Sequence, residues 1–480
     1  MSSQPLEFRE LKGNTAPSTV AGKKIAKANF NKFLVITGND ALEDMTEENL
    51  CDPSLLRKYA TFLVEHYVTK EDKPLMCDSA KQYISGAFNT IRDHHPGNEN
   101  YKAGIVHDWY TKMRQDLDAE ITLRCIELGE EVASKSYPVG RDILNGISSF
   151  YLRENSIESL YHRFEFCLQF ASGGGRTGES ALISTNGCYW DPILQAFTLN
   201  WNQKKLRRQD ICNYVNDWEH FEMDFYHSFA GYLIVKGGTL KNAREVQSQS
   251  STFLLPHLAS LKGSNAAVKL TRAIQALHGM VKNVPVNIDG TSLRSGAIQT
   301  MAAHSTTSMF HVAVRSGHQQ DLSRDCRAFE YTWYTPSATL VGGMALAGYS
   351  NSMQKCFTAR LAFYNDLPRG EQDALTNMMS HLFDSDITYG IAKDSLYHCL
   401  LATVLMSLES MVSEYSMENI MVQEVLKSAR QFKFSYPELL AFGSIIPVNI
   451  TFIFISIRYN LPLPAMYRRV LIPSALSVTQ

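Results

Sequence analysis

The stretch Ser172–Ser180, "SGGGRTGES", admits two readings that lead to different folds. Set against the phosphate-loop pattern G-x-x-x-x-G-K-[ST], Gly173 and Gly178 take the glycine places and Ser180 the last one. Glu179, however, stands where the lysine that touches the β- and γ-phosphates belongs. A carboxylate there repels the ligand that such a loop holds. The pattern also needs a strand before its glycines, whereas "ESLYHRFEFCLQFA", residues 158–171, repeats Leu160, Phe164, Cys167 and Leu168 at helical spacing. The stretch therefore reads as a helix ended by a glycine run, which suits a C-terminal cap or a close backbone approach. Arg176 becomes the residue to follow.

Downstream, "TNGCYWDPILQAFTLNWNQKK", residues 185–205, sets turn residues around aromatic and branched runs and predicts a small sheet. Upstream the pattern is helical. Asp52 and Pro53 form an N-cap and first-turn pair, followed by Leu55, Leu56, Tyr59, Phe62 and Leu63 at helical spacing. A second helix is predicted from Asp78 through Tyr83, Ile84, Ala87, Phe88 and Ile91 to "HHPGN", and a third over "VHDWYTKMRQDLDAEITLRCIELGEEV". Residues 1–28, polar and including "APSTVAGKKIAK", read as an N-terminal tail; 29–135 read as a compact helical domain, and the character changes after "SKSYPVG". Beyond about 346 the chain is helix-rich again, with "SLYHCLLATVLMSLESMVSEY" amphipathic and its leucines and methionines suited to a core. The fold class expected is mainly α with a small β-sheet, or α+β.

The composition narrows the function. Of 480 residues, 45% are hydrophobic and 20% charged, as in an ordinary globular chain long enough for more than one core. The formal net charge of −2 gives no global basic field, so an anionic partner has to be held by local patches. Nine cysteines without a C-x-x-C pair suggest neither a disulfide framework nor a zinc site. "MSSQPLEFRELKGN" lacks the apolar run of a signal peptide, which points to a reducing intracellular compartment. The most apolar segment, "IIPVNITFIFISI" at 445–457, carries Pro447 and Asn449 and is shorter than the roughly 20 residues a spanning helix needs, so it reads as core.

Arg176 is followed by a series. Lys204 and Lys205 lie in "NWNQKKLRR" at the end of a predicted strand. "GTSLRSGAIQTMAAH" predicts a helix with Arg294 in its first turn and Leu293, Ala297, Ile298 and Met301 facing inward. "RSGHQ" supplies His318, and "RAFEYTWYTPS" supplies Tyr331 and Tyr334. In the order Arg, Lys, Arg, His, Tyr, these residues resemble the catalytic domain of tyrosine recombinases of the phage-integrase type. "GGGRTGE" looks like the first-arginine box, "TSLRSGA" like the second and "SGH" like the third. Among eukaryotic chains the likeness is to the recombinases of crypton-like mobile elements, and it covers about 29–345.

The resemblance implies a helical core-binding domain of SAM-like fold (29–135), a catalytic domain (136–345) and a helical extension (346–480), the first two clamping duplex DNA. It further implies site-specific recombination or integration through a covalent 3′-phosphotyrosyl intermediate, self-association as a synaptic tetramer, and nuclear localisation. No metal or nucleotide cofactor is called for, and no membrane partner. In that chemistry two arginines fork onto the non-bridging phosphate oxygens. A lysine, for which Lys205 is preferred, protonates the leaving oxygen, and His318 assists proton transfer. Tyr331 is the nucleophile with Tyr334 in reserve. Lys204, Arg207 and Arg208 would grip the DNA backbone.

Two departures from the family pattern stand out. Thr291 occupies the second-box place where the family usually has histidine or lysine, and threonine is no acid or base near neutral pH; at the start of a helix it reads as an N-cap. The step from His318 to Tyr331 is 331 − 318 = 13 residues, longer than the family's usual gap. Taken singly, each residue also has an ordinary reading: a solvated basic turn for 204–208, surface arginines, a core histidine, and half-buried tyrosines. The alternative function is a domesticated DNA-binding protein that keeps the fold without the chemistry; a third is nucleotide binding by the glycine run.

Overall fold

The computed structural model describes residues 17–69, 73–130, 136–173, 175, 177–203, 208–239, 253–261, 263–317, 336–349, 358–361, 364–384, 388 and 393–443. The chain divides after residue 135 into two compact units, at the point where the sequence changes character. Each is mainly helical, and the second carries the single sheet of the described residues. The apolar segment 445–457 lies outside the described residues.

The first unit contains α1 (Pro17–Ile36), α2 (Glu47–Leu50), α3 (Pro53–Glu65), α4 (Cys77–His94) and α5 (Asp108–Glu127). The Asp52 carboxylate accepts from the Ser54 backbone N–H at 2.9 Å and Pro53 opens α3, which fixes that helix start as the sequence predicts. Leu55, Leu56, Tyr59 and Leu63 of α3 meet Ile84, Ala87, Phe88 and Ile91 of α4 in one core. The expected tail is too long by a helix: α1 begins at residue 17, not near 29. Lys23, Lys24, Lys27 and Lys32 give the segment its polar look, but Ala26, Phe30, Phe33 and Leu34 line one face and are buried. A Cβ on Gly86 would overlap that of Ala26, so glycine is what lets α1 and α4 touch there.

The second unit opens with α6 (Arg141–Glu154) and α7 (Ile157–Ala171), passes through the short α8 (Thr177–Ser180), and enters an antiparallel sheet of β1 (Cys188–Asp191), β2 (Ala196–Gln203) and β3 (Arg208–Asn213) in the order β1-β2-β3. Gln203 pairs with Arg208, so Arg208 begins a strand rather than belonging to a solvated turn. Next come α9 (Phe225–Thr239), α10 (Pro256–Ala259), α11 (Gly263–Gln275), α12 (Ser292–Ala303), α13 (Met309–Ser316) and α14 (Pro336–Leu346). The last are α15 (Arg369–Phe383), α16 (Lys393–Met406), α17 (Leu408–Tyr415), α18 (Ile420–Gln431) and α19 (Tyr436–Phe442).

One apolar core runs from Val139 to Phe442. α7 and α9 sit at its centre with Phe164, Phe229 and Tyr232 stacked at ring-centroid distances of 4.9 Å, and α15, α16 and α18 pack on α9. The helices after 346 are therefore not an appended layer; they complete the core begun by α6 and α7. Asn155, in the left-handed conformation that ends α6, donates to the Glu418 carbonyl at 3.0 Å and accepts from the Ile420 N–H at 2.7 Å. No single described helix is long and apolar enough to cross a membrane. α16 and α17 pass such a test only as a pair bent by 46°, and their apolar residues belong to the core.

A buried polar cluster lies under this core. The Arg163 guanidinium donates to the carbonyls of Glu222 (2.6 Å) and Phe221 (2.8 Å) and sits 2.7 Å from His227 Nδ1. Burial, reinforced by that cation, holds the His227 pKa well below its ordinary value, so its Nδ1 accepts from Arg163. Asp224 caps α9, accepting from the N–H groups of His227 (2.6 Å) and Asp217 (2.7 Å); burial pushes its carboxyl up to about 7 despite these bonds. Asp217 in turn pairs with Arg141 at 2.7 Å.

Candidate functional site

The residues expected to do chemistry fall unevenly on the structure. Arg176, Lys204, Lys205, Arg207, His318, Tyr331 and Tyr334 lie outside the described residues, and of Arg208 only the strand backbone is described. Thr291 and Arg294 are described, as are the segments that lead towards Arg176, Lys204 and His318; the residues around Tyr331 and Tyr334 lie outside the described residues. Those leads converge.

The first lead is the end of α7. Ser172 closes the helix, and Gly173 turns the chain with φ +71°, a left-handed conformation that a side chain resists. A Cβ at Gly173 would also press on Arg315 and Met301, 3.0 Å from each, so the turn rests on α13 and α12. A Cβ at Gly175 would land on the Trp201 ring. Both roles anticipated for the glycine run, helix end and close approach, are filled, and a helix rather than a strand precedes it. The nucleotide-loop reading thus lacks its structural context.

The second lead is β2. Trp201 is buried three residues before Lys204, and its Nε1–H points to the Tyr214 hydroxyl at 3.4 Å. The same hydroxyl lies 2.8 Å from Ser172 Oγ, which ties the sheet to the glycine turn.

The third and fourth leads are α12 and α13. On α12, Leu293, Ala297 and Met301 are buried and Ile298 packs against them, the inward set predicted from spacing; half-buried Arg294 donates from Nη2 to the Ser316 carbonyl at 3.1 Å. Ser316 is the last residue of α13 and stands two before His318. Arg315 beside it is buried. Its Nε donates to the Ala171 carbonyl at 3.1 Å, Nη2 donates to the same oxygen, and Nη1 donates to the Thr339 carbonyl of α14 at 2.5 Å. Thr339 donates from its hydroxyl to Asn213 Oδ1, and Asn213 Nδ2 donates to Thr198 Oγ1 at 2.8 Å. One hydrogen-bonded chain therefore runs from the end of α7 through α13 and α14 into β3 and β2. Burial lowers the Arg315 pKa from its ordinary value, and its guanidinium lies 5.9 Å from the Tyr214 ring centre.

Thr291 departs from its expected role. It occupies the N-cap position of α12 but makes no side-chain cap. Its Oγ1 is instead 2.8 Å from both Asp289 Oδ1 and Ser136 Oγ, and Ser136 donates to Asp289 Oδ2 at 2.5 Å. The nearby carboxylate takes over the capping work, with Asp289 Oδ1 accepting from the Thr291 N–H at 2.7 Å. Burial raises the Asp289 pKa, but the hydrogen bonds from Ser136, Thr291 and the backbone outweigh it and leave the carboxyl below its ordinary value. Glu179, the acidic residue after the first arginine, is buried.

Sequence reasoning missed Arg315, Asn213, Thr339, Asp289 and Ser136, which hold the site's walls. A lone arginine in "HVAVRSG" reads as solvated, and its partners are backbone carbonyls far along the chain, which leave no trace in residue type. Neither the family models nor the curated proteins compared with the sequence give a match.

Proposed function

We propose that this chain breaks and rejoins duplex DNA by tyrosine transesterification. The observation that carries the reading is the convergence of four segments distant in sequence: Gly173 and Gly175 before Arg176, Trp201 before Lys204 and Lys205, Arg294 itself, and Ser316 before His318. In this reading Arg176 and Arg294 bind the non-bridging oxygens of one phosphodiester. The Tyr331 Oη attacks phosphorus, forming a 3′-phosphotyrosyl bond as the 5′-oxygen leaves. Lys205 protonates that oxygen, and His318 assists the transfer of the tyrosine proton. The released hydroxyl of a second strand attacks the phosphotyrosyl bond and frees the tyrosine. The charge is offset by arginines rather than by a metal. The work is nuclear, and the active form is a tetramer on paired sites.

Incubation with nicked suicide duplexes tests this reading. It expects an SDS-resistant protein–DNA adduct that disappears in Tyr331→Phe. An adduct lost only in Tyr334→Phe reassigns the nucleophile.

A second reading is favoured by Thr291. Its hydroxyl is engaged with Asp289 and Ser136 and supplies no acid or base where the family usually places histidine or lysine. A DNA-binding protein that keeps the fold without cleavage fits this feature. Binding of a site without any adduct selects it, and in that case replacing Lys204, Lys205, Arg207 and Arg208 with glutamine still flattens the salt dependence of binding, by roughly 0.9 in log–log slope per lost phosphate contact.

A further inference from the structure

The tight turn between β1 and β2 carries an arrangement that the recombination reading does not use. Asp191 Oδ1 accepts from the N–H groups of Ile193 (2.8 Å) and Leu194 (2.9 Å), and Gln195 follows with φ 52°, a left-handed conformation that a non-glycine residue adopts only when its surroundings fix it. They do fix it: the Gln195 carbonyl accepts from Thr358 Oγ1 at 2.7 Å, its Nε2 donates to the Pro192 carbonyl, and its Oε1 accepts from Arg360 Nη2. The strained turn thus serves as a clamp that orients one guanidinium.

Arg360 lines a cavity of about 310 Å3 together with Trp190, Tyr364, Ser395 and His398. Among the described residues it has no carboxylate partner, and burial pushes its pKa below the ordinary value, a shift that the nearby Cys399 offsets only in part. A guanidinium carries five N–H donors, of which the bond to Gln195 takes one. Around it, the His398 ring stands edge-on to Tyr364 at 4.2 Å, Ser395 is exposed, and the buried Trp190 Nε1–H has no hydrogen-bond partner among the described residues. A half-buried, oriented cation with no carboxylate partner among the described residues, beside further donors, is the chemistry that recognises an oxyanion.

We propose that this cavity binds the phosphate group of a small phosphorylated molecule, with Arg360 as the anchoring cation and Ser395 as a flanking donor. The size admits a ligand of mononucleotide scale or smaller. The cavity adjoins the start of β2, and the seven steps from Ala196 to Gln203 carry the strand about 23 Å away from it. The proposal is therefore independent of the DNA-cleavage reading.

Calorimetric titration of the full chain with inorganic phosphate tests it. Saturable binding is expected that weakens at least tenfold in Arg360→Gln, the loss of a charge-assisted hydrogen bond, and weakens similarly in Ser395→Asp, an exposed position where a carboxylate repels the ligand without disturbing the core. Arg360→Lys should retain part of the affinity. Absence of phosphate binding in the wild type, or binding unchanged in both Arg360→Gln and Ser395→Asp, overturns the assignment. Displacement of bound phosphate by a short duplex, with DNA affinity falling in Arg360→Gln, also overturns it and makes the cavity part of a DNA interface.

Discussion

Arg315, near the end of α13, donates from its Nε to the carbonyl of Ala171 at the end of α7, 144 positions earlier in the chain, at 3.1 Å. The same side chain holds Thr339 of α14, so it closes a gap between the segment leading to Arg176 and the one leading to His318. Arg315→Met removes the donors that reach the half-buried Ala171 carbonyl and the Thr339 carbonyl and should cost about 2 kcal/mol at the scale of lost charged hydrogen bonds. Arg315→Lys keeps the charge, but one ammonium cannot span both carbonyls, so it should cost part of this. Urea midpoints check the order wild type, lysine, methionine; equal midpoints would refute the bridging role.

Gly296→Ala is expected to be among the most damaging single-methyl changes in the second unit. A Cβ there would overlap the Val139 carbonyl, whose own residue donates its N–H to the Ser292 carbonyl at 3.0 Å. The contact is backbone against backbone, so no rotamer change relieves it. A loss of roughly 3 kcal/mol is expected, with faster protease cleavage around residues 136–140. A variant as resistant to protease as the wild type would contradict this.

Asp224 makes a pH-dependent contribution whose sign is fixed by its raised pKa of about 7. The folded state binds the proton more tightly than an unfolded aspartate does, so the contribution is full below about pH 4 and is lost as pH rises through 7. His227 works in the opposite sense: its depressed pKa gives stability that is present above about 6.5 and is lost as pH falls. Asp217, Arg163 and His227 all face this carboxylate, so the wild-type profile mixes several groups. The difference between wild type and Asp224→Asn isolates one of them. The variant should gain on the wild type as pH is raised from 5 to 8; urea midpoints separated by a constant interval would rule out the assignment.

Asp289 gives the converse case. Its folded pKa lies below the ordinary aspartate value, so its stabilisation is present above about pH 4 and is lost as pH falls through the folded pKa. Asp289→Asn should destabilise by about 1 kcal/mol at pH 7, the usual scale for a lost cap, and should converge with the wild type near pH 2. Thr291→Ala should lose less, because Ser136 still donates to the carboxylate. Thermal melts at pH 7 and pH 3 measure both.

Much of the helical framework was legible because it is written in local spacing. Leu55, Leu56, Tyr59 and Leu63, and Leu293, Ala297 and Met301, are buried where the 3.6-residue period puts them. α7 was legible as a helix but not in its surroundings. Leu160, Phe164, Cys167 and Leu168 suggest one apolar face, whereas Arg163, Glu165 and Gln169 are buried as well, because α6, α9 and α12 enclose the helix. α1 was hidden by its lysines, since only four apolar positions mark its inner face. Of the residue series read from the sequence, only Thr291 and Arg294 are described with their side chains, and the hydrogen bonds that hold the segments around them left no mark in the sequence. Arg315, Thr339, Asn213 and the Asp289–Ser136 pair act through partners from 15 to 153 positions away, a separation at which sequence pattern carries no signal.

The tie between Asn155 and Ile420 sets a timetable for synthesis. The two bonded residues are 265 positions apart, and α6 and α7 leave the ribosome long before α18 exists to cover them. At roughly 5 to 20 residues per second, translation of that interval takes tens of seconds. Throughout it, the Phe164 and Phe229 surfaces lack part of their final cover. A nascent chain stalled between residues 346 and 420 would hold every residue of the proposed catalytic series and yet lack helices that complete the core. The last quarter of the chain is, in this sense, the assembly step that decides when the rest becomes a protein.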